Sequence, residues 1–226
     1  VCSSDLSSTF STCINIKNIK LSLQSPYPYI TSSSSLFYDV EDKKIKGVIR
    51  AVNYSMNDSF QYTIRDDEQI VRTENFWIEM DALFNVSTFY KIEINYNNPL
   101  NSIKQRESHI QGFEDIRICK VGSELYGIAV CWEYGCYNHP SVVYFKLSKN
   151  DLEKYVIDRF KAIRFNDDRC QKNWTLFSEN DRLYTVYSHY PVIVLELDKE
   201  FQEEEKIVVN KHNMYDLSRT DRKSVV

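Results

Sequence analysis

Gly112-Phe113-Glu114-Asp115-Ile116-Arg117 sets two acids and a guanidinium at the start of a strand-like run, directly after a glycine. Charges inside a strand are costly unless they pair or face a ligand. Strict alternation would put Asp115 and Arg117 on one side and Glu114 on the other. Two outcomes are open: an Asp115–Arg117 ion pair that only stiffens the strand, or a polar head presented to a ligand.

A second polar head, Lys172-Asn173-Trp174-Thr175, opens another such run, and Tyr187-Ser188-His189-Tyr190-Pro191 closes the hairpin that follows. Arg50, Arg117, Lys172 and His189 are candidate cations. Trp132, Tyr134, Trp174 and Tyr187 are candidate stacking surfaces, since an aromatic face offers a large apolar platform to a ligand. Each also has a plainer role: strand-end charge for Arg50 and Lys172, a turn for His189, core packing for at least half the aromatics. Excluding Cys2 leaves Cys13, Cys119, Cys131, Cys136 and Cys170, an odd, irregularly spaced set that reads as reduced thiols. Cys131, Cys136 and His139 fit no standard zinc spacing, so no metal is expected.

The elements that must position these heads are strands. Short runs rich in Val, Ile, Tyr, Phe and Trp recur between Asn, Asp, Ser and Gly clusters: 46–53, 60–65, 70–80, 89–96, 125–132, 142–147, 183–187 and 192–197. The best helical candidate, Lys149 to Phe160, suits a strand as well. An internal repeat organises the second half. Glu114 to Ile118 aligns with Lys172 to Leu176, Leu125-Tyr126 then falls on Leu183-Tyr184, and Lys146-Leu147-Ser148-Lys149 matches Glu196-Leu197-Asp198-Lys199 after a longer loop in the first copy. Units of three or four antiparallel strands cannot bury both faces alone, so copies must pack face to face, as propeller blades do. The polar heads would then converge on a central channel. A β-sandwich is the alternative arrangement.

The 226 residues carry a formal charge of −4 with acids and bases interspersed, which advertises neither a nucleic-acid nor a membrane surface. No apolar run approaches the ~20 residues of a membrane helix, and no signal segment opens the chain, so a cytoplasmic location is expected. Abundant Asn, Ser, Lys and Tyr follow from AT-rich codons, and the sequons at Asn53, Asn57, Asn85 and Asn173 carry no meaning in that setting. Residues 1–6 and 221–226 resemble translated sequencing-adapter ends, as in a metagenomic fragment, which leaves 7–220 as one truncated domain.

Gly112 to Arg117, Gln171 to Thr175 and Tyr187 to Pro191, in this order, resemble the five-bladed propellers related to glycoside hydrolase family 130, the mannoside phosphorylases and their hydrolase relatives. They also resemble propellers encoded beside or fused to glycosyltransferases. Ile116 stands where the family's Glu-Asp-Pro-Arg motif has Pro, and Val48 to Tyr54 is similar to the family's first-blade arginine strand. The resemblance implies an all-β, incomplete five-bladed propeller with about four blades present. It implies an inverting glycoside phosphorylase or hydrolase acting on mannose-type glycosides, with Asp115 as the acid. Arg50, Arg117, Lys172, His189, Asn173, Trp174 and Tyr187 would bind substrate or phosphate, with inorganic phosphate as candidate co-substrate and no other cofactor. The alternative is a non-catalytic carbohydrate-binding or glycosyltransferase-associated module.

Overall fold

The computed structural model describes residues 29–59, 61–97, 108–134, 139–163, 172–189, 191–203 and 205–211, and every regular element among them is a strand. The strands form three consecutive four-stranded antiparallel blades. The first pairs β1 (Ile30–Asp39), β2 (Lys44–Val52), β5 (Val71–Met80) and β6 (Val86–Lys91), with a small ribbon of β3 (Tyr54–Met56) and β4 (Tyr62–Ile64) inserted between β2 and β5. The second pairs β9 (Phe113–Val121), β10 (Glu124–Cys131), β11 (Ser141–Lys149) and β12 (Tyr155–Ala162). The third pairs β13 (Thr175–Glu179), β14 (Arg182–His189), β15 (Val192–Leu197) and β16 (Lys206–Lys211). Two short parallel additions tie blade margins together: β7 (Glu93–Ile94) lies on β12, and β8 (Ile110–Gln111) lies on β5.

The inner strand β9 touches β1 and β2 on one side and β13 on the other, the blade-to-blade packing of a propeller. About four blades were expected; three are described, and the chain before residue 29 and after 211 lies outside the described residues. The repeat holds at the level of register. Leu125 pairs with Leu147 and Tyr126 with Lys146 in the second blade, and the aligned residues Leu183 with Leu197 and Tyr184 with Glu196 pair identically in the third. Residues 149–160, the helical candidate, become the last residue of β11, a turn and the first part of β12. The β-branched Val156-Ile157 and the need to close the blade edge decide that competition.

Burial explains why the second blade reads as nearly continuous apolar sequence. One of its faces, with Leu125, Ala129, Val143, Phe145 and Leu147, joins Val48 and Trp77 of the first blade in one core. The opposite face, with Tyr126, Ile128, Val142 and Tyr144, joins Trp174, Leu176, Leu183 and Leu195 of the third blade in another. A sheet buried on both faces cannot alternate apolar with polar. Each fully buried Phe or Leu contributes about 2–3 kcal/mol. Phe113 stacks edge-on to Phe160 at 5.3 Å and lies 5.7 Å from Phe145, seating the start of β9 against the first core.

Among the described residues, no helix is long and apolar enough to cross a membrane.

Candidate functional site

The polar head of β9 is held by backbone geometry that strict alternation does not allow for. Arg117 pairs with Ile128 and Glu114 with Val130, so the pairing register slips between them: Asp115 and Ile116 together oppose the single residue Ala129. This is a β-bulge, and Asp115 sits in it with φ 52°, a left-handed conformation that Asp tolerates better than most residues. Just upstream, Gly112 has φ 94°, and a Cβ there would meet the Thr73 carbonyl oxygen at 2.3 Å, so only glycine fits.

The bulge turns neighbouring acids toward one partner. Arg50 of β2, 7% exposed, donates from Nη1 to Asp115 Oδ1 at 2.7 Å and from Nη2 to Glu114 Oε1 at 2.5 Å. Of the two outcomes left open, the Asp115–Arg117 pair is not the one found: Asp115 shares Arg50 with Glu114, and Arg117 is exposed. Thr73 accepts a long bond from Arg50 Nη2 at 3.4 Å, while Arg50 Nε has no partner among the described residues. Ser33 Oγ donates to Asp115 Oδ1 at 3.1 Å, and Ser35 Oγ accepts from the Ile118 amide at 3.1 Å, so the serine-rich β1 zips onto β9 beside the site.

The two acids differ in environment. Glu114 keeps 16% of its side chain exposed and Asp115 47%. Burial pushes the Glu114 carboxyl above its ordinary value, against the opposing pull of Arg50, Lys172 and a hydrogen bond from Trp132. The charge of Asp115 adds to the upward push.

Asp115, Arg117, Asn173 and Trp174 line one small cleft floored by Ile128, Ala129, Val130 and Val142. Its interior has about 10 Å³ open to water, room for about one molecule. A larger ligand would have to reach Asp115 from its exposed side. The heads of the second and third blades thus meet at this small cleft, with Lys172 in electrostatic reach of Glu114.

The remaining candidates divide. Trp174 is 4% exposed and packs edge-on against Tyr187 at 5.0 Å, and Tyr134 is 2% exposed and packs edge-on against Phe160 at 4.8 Å, so Trp174 and Tyr134 serve the core. Trp132 serves the site through Glu114. His189 ends β14 paired with Val192 and does not line the cleft. Tyr190 and Cys136 lie outside the described residues, and Cys119 and Cys131 are free thiols. Among the described residues, no cluster of three or more His, Cys, Asp or Glu could hold a metal ion. Asn53 is fully buried.

Sequence reasoning missed Glu114 as a site residue, and with it Ser33 and Thr73. An acid pair followed by a residue that cannot alternate into the core was the available signal for the bulge; the serine run of β1 offers none.

No protein family matches the chain, and no curated protein matches it. Among solved structures it is similar to the crystal structure of xylan beta-1,4-xylosidase from Bacillus Halodurans C-125, with TM-score 0.47 and 11% identity, covering 78% of this chain and 30% of that one. The chain thus spans less than a third of that protein's length. At this score and identity the likeness speaks to neither chemistry nor substrate.

Proposed function

We propose that the chain is carbohydrate-active and that the Arg50–Glu114–Asp115 cluster meets the sugar. One observation carries this: a bulge with a left-handed aspartate brings consecutive acids onto one buried arginine at the junction of blade heads, leaving the Asp115 carboxyl half-exposed. Backbone strain of this kind concentrates at functional positions. Charged acceptors with fixed guanidinium donors suit the hydroxyls of a sugar.

In the catalytic form of this reading, Asp115 transfers a proton to the glycosidic oxygen of a mannose-type substrate. A hydrogen phosphate oxygen attacks the anomeric carbon from the opposite face as the C–O bond breaks, giving an inverted sugar phosphate. Arg50 and Ser33 stabilise the carboxylate left behind, and the proton of hydrogen phosphate returns to Asp115. Glu114, the neighbouring acid, is bound to Arg50 rather than free to activate a water, which favours phosphate as the nucleophile. Arg117 and Lys172 are the exposed cations for phosphate.

The Arg50 fork also favours a second reading, because side chains already fixed by a guanidinium offer a preset surface for sugar hydroxyls without any need for proton transfer. That suits a sugar-binding module working beside a glycosyltransferase. Assaying the chain on mannosyl disaccharides with and without phosphate, wild type against Asp115→Asn, separates the two. Phosphate-dependent turnover lost in Asp115→Asn supports the enzyme; binding without turnover in both proteins supports the module; equal turnover in both removes Asp115 from the mechanism.

A further inference from the structure

The β3–β4 ribbon rises from the end of β2, the strand that carries Arg50. Its cross-strand pairs are Tyr54 with Ile64, Ser55 with Thr63 and Met56 with Tyr62. Alternation therefore gathers Tyr54, Met56, Tyr62 and Ile64 on one face and leaves Ser55 and Thr63 on the other. Such a face normally turns inward. Here Tyr62 is 63% exposed and Met56 52% exposed, an unusual display for a ribbon of this length.

The face starts next to the strand that carries the cluster's arginine: β3 follows β2 across the single residue Asn53, and Tyr54 stands four residues after Arg50. The charges of Arg50, Glu114 and Asp115 all reach the Tyr54 hydroxyl, and Tyr62 stands edge-on to Tyr54 with ring centroids 5.2 Å apart. The base of the ribbon is also rigid. Buried Asn53 donates from Nδ2 to the Ile70 carbonyl and accepts from the Arg72 amide, both at 2.8 Å, while its own carbonyl accepts from the Arg65 amide at 2.8 Å. Asp66, at the foot of β4, accepts from Arg72 Nε at 2.6 Å. At the tip, Asn57 Oδ1 accepts from the amides of Ser59 and Gln61.

The geometry points to Tyr62, backed by Tyr54 and Met56, as a stacking platform for a sugar ring beyond the second in an oligosaccharide whose first unit meets Arg50, Glu114 and Asp115. The inference rests on the carbohydrate reading above. An exposed aromatic face beside fixed charged acceptors offers both halves of a pyranose its match: apolar C–H face on the ring, hydroxyls on the charges. A rigid base lets the platform bind without first being ordered.

Isothermal titration of the 226-residue chain with the di- and tetrasaccharides of β-1,4-mannan, cellulose and xylan tests it. The platform predicts a tetrasaccharide that binds more tightly than its disaccharide. Tyr62→Ala should remove that advantage, weakening tetrasaccharide binding about 3- to 10-fold while sparing the disaccharide. Tyr62→Phe should restore it, because the ring and not the hydroxyl does the stacking. An unchanged urea midpoint in Tyr62→Ala establishes that the fold is intact, as the exposure of Tyr62 requires. Tetrasaccharide affinity untouched by Tyr62→Ala overturns the platform while the cluster reading stands. A wild-type chain that binds no sugar of the panel overturns both. Self-association that Tyr62→Ala abolishes, with sugar affinity unaltered, would make the face a contact between copies and overturn it too.

Discussion

The second and third blades share one backbone plan and use it for different ends. Asp115 and Asn173 occupy equivalent places in the repeat, and both are left-handed, with φ 52° and 59°. Glu114 and Lys172, also equivalent, carry opposite charges, and the lysine's charge reaches the glutamate. The second blade's head is locked to a buried arginine, whereas Lys172 and Asn173 are exposed. Cores differ in the same sense: β10 and β11 are buried on both faces, while β14 is buried only at Leu183 and Thr185 and part-exposed or exposed at the positions between and beyond them. A repeated conformation is therefore a scaffold, and chemistry is written on it by the side chains that neighbouring blades supply.

Removing the cation from each head should produce the largest contrast. Arg50→Leu strands Glu114 in a mostly buried site and should cost about 3 kcal/mol in urea unfolding. Lys172→Ala, at an exposed position, should change stability by less than about 0.5 kcal/mol. Comparable losses in both would show that the two heads are equally structural.

A smaller effect separates the left-handed positions. Asp115→Gly and Asn173→Gly relieve the same backbone conformation and add the same freedom to the unfolded chain, so their difference isolates the side-chain contacts. Asp115→Gly should be less stable than Asn173→Gly by about 1 kcal/mol, the scale of a half-exposed ion pair. Equal stabilities would reduce the Arg50–Asp115 contact to a geometric coincidence.

The smallest effect concerns pH. Burial raises the Glu114 carboxyl above its ordinary 4.5, so the native state holds that proton more tightly than the unfolded chain. Its contribution is full below the unfolded value and is lost as pH rises through the higher native one. The side-chain hydrogen bond from Arg72 lowers the Asp66 carboxyl below 3.8, so its contribution is present above that value and lost as pH falls. Across unfolding midpoints from about pH 3 to 7, Glu114→Gln should improve relative to wild type as pH rises, and Asp66→Asn should worsen. Parallel trends in both would contradict the opposite environments of these acids.

Much of this was legible in sequence. Strand runs, the repeat and its register follow from local apolar periodicity and side-chain volume, as the Leu125–Leu147 and Leu183–Leu197 pairs illustrate. The Ser-rich β1 was not, because Thr31 to Ser35 has no apolar period and becomes a strand only by pairing with β2 and lending hydroxyls to β9. Nor was the side taken by Arg117, since the bulge at Asp115 and Ile116 moves every later residue of β9 to the face opposite the one strict alternation assigns.

By itself, then, the order of residues determined that the chain makes paired strands, where two polar heads stand, and that consecutive acids open β9. Tertiary structure alone decided that those acids meet Arg50 from another blade and not Arg117 beside them. The reason is physical: strand identity depends on neighbours within a few residues, while the partner of a half-buried charge is whichever opposite charge packing brings within ~3 Å.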